Sequence, residues 1–463
     1  MYQRRKFLAG CCAAAVLPMK MVSGQTQSAL QNEPVVLSST ASSRATAYTN
    51  SHKMTYSKGI LTVSYLGNAD GKFENIVQDI NVYKNAVSAP HVLGPSQDNH
   101  GGVDILQDAS GRQHVAYYPH SGPIWYQTRA SISDPWSEVE TIGDDYTYPL
   151  LSLDRDSSLV MLARQTRHRP GPDPFVTLDI FRRTVGAKSW SPARHLIQAH
   201  WRGYTHFLTS LQIDMAGTWH LFVMAHEHSI PDAYGQSHRL AYMKSNDQGD
   251  TWQSLLGEAL TCRTAGRLRC AMRDSFDMAD LDVIAEGGLS RDKLFYSGRA
   301  TVTNEGVPMT ALAVRERDKS ELLLISGGAV GWDMAPLWQY LPQDVQHLHI
   351  TGPGPSLGYD GRGTLWIVFS LQDTQHLEGS LHQINVSSWG HRSTEVCALS
   401  RAKGQNDFQF HRVSQPNPDV AQWLPTLGAF ADSDSAYVMF TQGAPGRNNT
   451  QVQANKVLLA QLP

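Results

Sequence analysis

Two histidines, His100 and His120, bracket the stretch DNHGGVDILQDASGRQHVAYYPH. The apolar run from Gly101 to Leu106, the turn Asp108-Ala-Ser-Gly111 and the returning His114-Val-Ala-Tyr-Tyr118 spell a β-hairpin. His100 is expected to open its first strand and His120 to close its second, so that the two meet at one rim. Imidazole moves protons near neutral pH, and a facing pair can share donor, acceptor and orienting roles. The plain alternative is that one of them is a buried, satisfied histidine. A second bracketed unit follows in YPLLSLDRDSSLVMLAR, opened by Tyr148 and closed by Arg164. Side by side, the two units would gather what β-elimination at a uronate needs: a base for the C5 proton, an acid for the O4 leaving group, and a cation to neutralise the carboxylate. Tyr148 serves as acid or base if Arg164 lowers its pKa. Taken singly, a tyrosine before proline is also a packing residue and an arginine at a strand end also a surface charge.

These positions need a scaffold that repeats. A strand, a Gly/Asp/Ser turn and a second strand recur at Lys53–Leu66, His100–Tyr118, Tyr148–Arg164, Thr205–His226, Met278–Gly298, Ser356–Ser370 and Thr426–Gln442. The second and fourth copies agree in detail, because His100, His114 and His120 have the same spacing as His206, His220 and His226. His238–Ser245 and Met309–Val314 are expected as outer strands. Helical periodicity is nearly absent. The economical fold is all-β, a seven-bladed β-propeller over residues 31–463, with a β-sandwich or a β-helix as the alternatives. Asn455–Leu462 is expected to close the ring against Pro34–Leu37, and the Ser/Thr-rich segment Ser38–Ser51 is a polar lead-in. Ser245-Asn-Asp247-Gln-Gly249-Asp-Thr251-Trp252 fits the Asp-box turn, whose Asp and Ser bond turn amides, whose Gly accepts positive φ and whose Trp packs under a blade.

The chain has 463 residues, 41% of them hydrophobic, and a formal net charge of −3, so no global field draws it to nucleic acid. Arg4-Arg5-Lys6 ahead of the apolar run AGCCAAAVLPM resembles a twin-arginine export signal over residues 1–24. A soluble periplasmic or secreted product is expected, with a lipoprotein as the alternative because Leu8-Ala9-Gly10-Cys11 spells a lipobox. No later run is apolar enough to span a membrane. Beyond the signal remain Cys262, Cys270 and Cys397, an odd number.

The seven copies, His100 and His120 at their spacing, and Tyr148 with Arg164 resemble the seven-bladed propeller ulvan lyases. The resemblance implies a monomer with a canyon that binds an anionic sulfated polysaccharide, ulvan, built of rhamnose 3-sulfate and glucuronic or iduronic acid. It implies His100 and His120 as catalytic histidines, Tyr148 as general base or acid, Arg164 as the carboxylate neutraliser, and Tyr204 and Asn99 among the substrate-binding residues. Arg167, His168 and Arg169 form a cluster suited to sulfate or carboxylate, or else a solvated loop. Trp125, Tyr126 and Trp201 are candidates to stack on sugars, or else pack the blades. His226, His228, Cys262 and Cys270 combine imidazole with thiolate, the zinc preference, and the related lyases carry a structural metal; a Cys262–Cys270 disulfide or isolated thiols are the alternatives. No organic cofactor is expected. Competing functions are a sialidase, for which Arg164, Arg273 and Arg299 are available but no neighbouring Glu, a propeller glycoside hydrolase such as a rhamnosidase, a rhamnose–glucuronate lyase, and a carbohydrate-binding propeller without catalysis.

Overall fold

The turns set the architecture. Asp108 Oδ1 accepts the backbone N–H groups of Ser110 and Arg112 (2.9 and 3.0 Å), Asp214 Oδ1 those of Ala216 and Thr218 (2.9 and 2.8 Å), and Asp360 Oδ1 those of Arg362 and Thr364 (3.0 and 2.8 Å). In each turn the third residue after the aspartate is a glycine at positive φ: Gly111 at 90°, Gly217 at 89° and Gly363 at 77°. A side-chain carboxylate that satisfies two turn amides, followed by a residue free to turn left-handed, reverses a strand tightly. Repetition of this device yields repeated hairpins.

The computed structural model describes residues 33–166, 176–199, 204–228, 237–261, 275–287, 293–316, 319–373, 393–417, 419–444 and 454–463. Hydrogen bonding joins their strands into five sheets, of nine, eight, four, five and four strands, and the antiparallel pairings within these divide into seven four-stranded blades. In chain order, the first holds Met54–Ser57, Ile60–Ala69, Lys72–Asn81 and His91–Pro95. The second holds Asp104–Gln107, Gln113–Tyr117, His120–Arg129 and the start of Glu140–Leu153. The third takes the remainder of that long strand with Leu159–Gln165, Thr177–Arg183 and Arg194–Gln198. The fourth holds Tyr204–Ile213, Trp219–His228, Ser237–Ser245 and Asp282–Glu286, and the fifth Lys293–Tyr296, Pro308–Glu316, Ser320–Gly328 and Gly331–Pro336. The sixth holds His349–Tyr359, Leu365–Gln372, Thr394–Arg401 and Gln409–Arg412. Ala421–Gly428, Tyr437–Gly443 and Asn455–Gln461 form the seventh, completed by the N-terminal Val35–Ala41, so the ring closes as expected.

Seven buried hydrophobic clusters lie one at each blade-to-blade interface, as radial packing requires. The Asp-box sits between the two outer strands of the fourth blade. Asp247 accepts from Ser245 Oγ (2.7 Å), Thr251 N (2.8 Å) and Thr251 Oγ1 (2.6 Å), while Trp252 is buried and donates to Gly249 O (3.0 Å).

Two expected elements move. Met278–Gly298 is not a hairpin: Met278–Asp280 is a 3-10 turn, Asp282–Glu286 is the outermost strand of the fourth blade, and Lys293–Tyr296 opens the fifth. Met309–Val314 is accordingly a second strand within Pro308–Glu316, not an outer one. A run that is apolar across a blade boundary has the same pattern as one that is apolar along a hairpin.

The segment after Val35–Ala41 is no lead-in. Ser42, Ser43, Thr46, Tyr48, Thr49 and Asn50 are buried. Thr46 Oγ1 donates to Leu424 O (2.7 Å), Asn50 Nδ2 to Thr209 O (3.2 Å), Ser356 Oγ to Thr49 O (2.8 Å) and Trp423 Nε1 to Ser43 O (2.9 Å). Its small polar residues therefore cross the axis and join the inner strands of the fourth, sixth and seventh blades.

The repeated middle histidines are structural. His114 Nδ1 accepts from Tyr126 Oη (2.7 Å) and its Nε2–H donates to Asp108 Oδ2 (3.2 Å); His220 does the same with Tyr242 (2.7 Å) and Asp214 (3.2 Å). His114→Leu and His220→Leu should each lower unfolding free energy by about 1–3 kcal/mol in denaturant titration, since a buried tyrosine and a half-buried aspartate lose their partner. Turnover of the folded fraction should not change.

Candidate active site

One strand does most of the positioning. Glu140–Leu153 starts as the outer edge of the second blade, pairing Ile142 with Ile124, and ends as the inner strand of the third, pairing Leu150 with Leu162. Between these, Thr147 pairs with His120 on one side and Arg164 on the other. The crossing requires a sharp bend, and Tyr148 takes it with φ of +59°, a left-handed backbone that is costly for a bulky residue. Tyr148 thus directly follows the residue paired to both His120 and Arg164; the Arg164 guanidinium lies 5.0 Å from its ring centroid, and the His100 ring 6.1 Å from it. Arg164 itself is 1% exposed.

His100 is not on a strand: it lies in the loop before Asp104–Gln107, and His120 opens the third strand of its blade instead of closing the second. The pair still meets, with ring centroids 4.1 Å apart. The loop is drawn against the hairpin by Tyr118 N donating to Gly101 O (3.2 Å), and a Cβ on Gly101 would stand 2.4 Å from Tyr118 O, so glycine is required there.

Asp98 joins the two imidazoles. His100 Nδ1–H donates to its Oδ1 (3.0 Å) and His120 Nδ1–H to its Oδ2 (2.5 Å). Burial opposes ionisation of Asp98, but the hydrogen bonds from His100 and His120 outweigh it and hold the carboxyl well below the usual range. Arg44 Nη1 donates to His100 Nε2 (2.9 Å) and to Tyr48 Oη (3.0 Å), and Tyr148 Oη donates to Tyr48 Oη (3.5 Å). His100 is therefore committed at both nitrogens. Burial depresses its pKa to about 4, with the Asp98 hydrogen bond opposing and the Arg44 charge adding to the shift, so it is neutral near pH 7. His120 is more open, its side chain 29% exposed, with Nδ1 fixed by Asp98. Asp98, His100 and His120 also offer three potential metal-ligand atoms within 4.8 Å of one another. Those Nδ1 and carboxylate atoms are engaged in hydrogen bonds, and the Arg44 guanidinium on His100 opposes a further cation.

The depressed His100 predicts a pH-dependent stability. Below its ordinary value of 6.5 the unfolded chain takes up a proton that the folded chain refuses. This contribution is complete above that pH and is lost as pH falls toward about 4, amounting to roughly 3 kcal/mol. In denaturant titrations at pH values across this window, wild type should lose more stability than His100→Gln by that amount; equal losses refute the assignment.

The same mouth collects further rings. Tyr148 and His206 have centroids 4.5 Å apart, Tyr48 and Tyr148 4.8 Å, His206 and His226 5.6 Å, and His226 and Tyr296 6.3 Å. Of the residues expected from sequence, His100, His120, Tyr148 and Arg164 come together. Asn99 is buried beside them. Trp125 stacks on Tyr118 (4.1 Å, 4° between planes) and Tyr126 holds His114, so both are engaged in blade packing. Arg167, His168, Arg169, Trp201, Cys262, Cys270 and Arg273 lie outside the described residues. Tyr204 pairs with His228 across the first two strands of the fourth blade, and their side chains lie outside the description. The zinc set is thus represented only by His226, whose ring faces His206 and Tyr296.

The sequence reading missed Asp98, Arg44, Tyr48 and His206. Only His206 carried a signal, the spacing it shares with His220 and His226.

An all-β propeller of Asp-box type with a histidine, tyrosine and arginine cluster at one mouth defines the class. Residues 34–340 match the model of the BNR repeat-containing family, and the chain belongs to that family. Among solved structures it is similar to a PL25 ulvan lyase, with 13% identity, a TM-score of 0.63, and 92% of this chain and 95% of that one covered. A PL25 ulvan lyase bound to -[GlcA(1-4)Rha3S]- gives 12% identity and a TM-score of 0.64 over the same shares. The polysaccharide lyase Uly1 gives 12% identity and a TM-score of 0.59, with 93% and 98% covered. No curated protein matches the sequence. Among the described residues, no helix is long and apolar enough to cross a membrane.

Proposed function

We propose that the protein is a polysaccharide lyase that cleaves ulvan by β-elimination at its 4-linked uronate. The observation that carries this reading is the gathering of His100, His120, Tyr148 and Arg164 where one strand passes from the second blade to the third: Thr147 pairs with both His120 and Arg164, the Arg164 guanidinium faces the Tyr148 ring, and the His100 ring lies between those of His120 and Tyr148 at 4.1 and 6.1 Å. The likeness in fold to lyases, one of them bound to a uronate–rhamnose sulfate oligosaccharide, supports it.

In this reaction the C5–H bond breaks, its electron pair becomes the C4=C5 double bond, and the C4–O4 bond breaks with O4 taking up a proton. C5–H is acidic only when the adjacent carboxylate is neutralised. Arg164 and Arg44 are the cations on either side of the Tyr48–Tyr148 pair. The proton carriers are His120 and Tyr148. His100, occupied at both nitrogens, instead positions Arg44 and shares Asp98 with His120. A retaining or inverting hydrolase would use two carboxylates flanking the bond; Asp98 is the carboxylate of this cluster, and both its oxygens are taken by histidine.

Incubation with ulvan should generate the ultraviolet absorbance of a C4=C5 unsaturated uronate. Saturated products would assign a hydrolase, and binding without products a carbohydrate-binding propeller.

A further inference from the structure

We infer that the opposite mouth of the propeller is a second binding site, shaped for a small hydroxylated carboxylate of monosaccharide size held by Arg299. A cavity of about 370 Å³ lies there. Its lining residues Gln107, Gln212, Tyr359 and Ala429 stand at or just beyond the far ends of inner strands whose near ends face His100 and Tyr148. Gln212 follows His206 by six residues on one strand, which separates the two mouths by about 20 Å.

Arg299 is 7% exposed and lines the cavity, and its guanidinium makes no hydrogen bond or ion pair to any described residue. Asp104 supplies an opposing charge, but its two oxygens accept the backbone N–H groups of His52 (2.5 Å) and Leu151 (2.7 Å). Burial lowers Arg299 to about 10, with Asp104 opposing, so it stays a cation at neutral pH. A desolvated guanidinium with its fork of donors unspent is costly to keep and matches a carboxylate. Around it, Gln212 donates to Ser210 Oγ (3.2 Å) and Gln107 accepts from Gln113 (3.1 Å), which leaves each amide one group for a ligand hydroxyl. Tyr56 and Phe430, stacked at 5.9 Å, give the cavity an aromatic wall for the apolar face of a sugar ring. One cation, spare amides and an aromatic wall together fit a uronate better than a bare inorganic anion. The site stands whether or not the other mouth cleaves a polymer.

Met54 also lines the cavity, so its methyl resonance in methyl-labelled protein, assigned through Met54→Leu, reports on this site alone. D-glucuronate should shift it saturably, and D-glucose or sodium sulfate at the same concentration should not. Arg299→Gln should weaken glucuronate by about tenfold or more, the loss expected for a charge-assisted hydrogen bond. Asn304→Trp, at the exposed rim, should do so without touching the buried cation and serves if Arg299→Gln does not fold. An unmoved Met54 signal, an equal response to sulfate, or unchanged affinity in a folded Arg299→Gln or in Asn304→Trp overturns the inference.

Discussion

Tyr148→Phe should reduce turnover on ulvan by a factor on the order of 10³, within the range for loss of a positioned proton carrier, while substrate binding changes little. Phenylalanine keeps the ring under the Arg164 guanidinium and asks no more of the backbone than tyrosine does, so what disappears is the hydroxyl and its contact with Tyr48. Rates of unsaturated product formation and substrate dissociation constants, measured side by side, separate this from a packing defect. If the variant forms product at near wild-type rate, Tyr148 carries no proton and the proposed site fails, even though the fold stands.

Asp98→Asn should be nearly as damaging, again on the order of 10³ in turnover, although it changes one atom and Asp98 touches no substrate in the proposed scheme. A carboxylate accepts from both Nδ1–H groups; an amide has one oxygen and an NH₂ that must face the other imidazole. One histidine must then change tautomer or turn away, the kind of loss seen when the orienting aspartate of a catalytic triad becomes asparagine. Because Asp98 is a positioning residue, the variant should also shift the pH profile of turnover, which a purely structural lesion would not do. An unshifted profile with normal rate means that His120 needs no orientation.

What was legible in the sequence is what local chemistry decides. The Asp-box and the Asp-x-x-Gly turns use side chains to bond neighbouring amides, so their motifs survive without knowledge of the rest of the chain. The hairpin logic also brought His100 and His120 to one rim, although it misassigned the strands that carry them, because Gly101-Gly102 has no pattern that separates loop from strand. Asp98, Arg44 and Tyr48 act through partners distant in sequence. Tyr48 lies in a run of serines and threonines whose polarity suggests solvent, and those same small residues fill the axis because their hydroxyls and amides find strand-end carbonyls. Composition cannot distinguish the two cases.

That axial segment ties chemistry to the order in which the chain comes together. Arg44 and Tyr48 directly follow Val35–Ala41, which pairs with Asn455–Gln461, so two site residues are anchored by the contact that joins the two ends of the described chain. Pairings of such large sequence separation carry the largest loop-closure entropy and form late. A partly synthesised chain, or one lacking its final strand, would hold every histidine, Tyr148 and Arg164 and still lack the base on which Arg44 and Tyr48 are set, so this cluster assembles only in a finished ring.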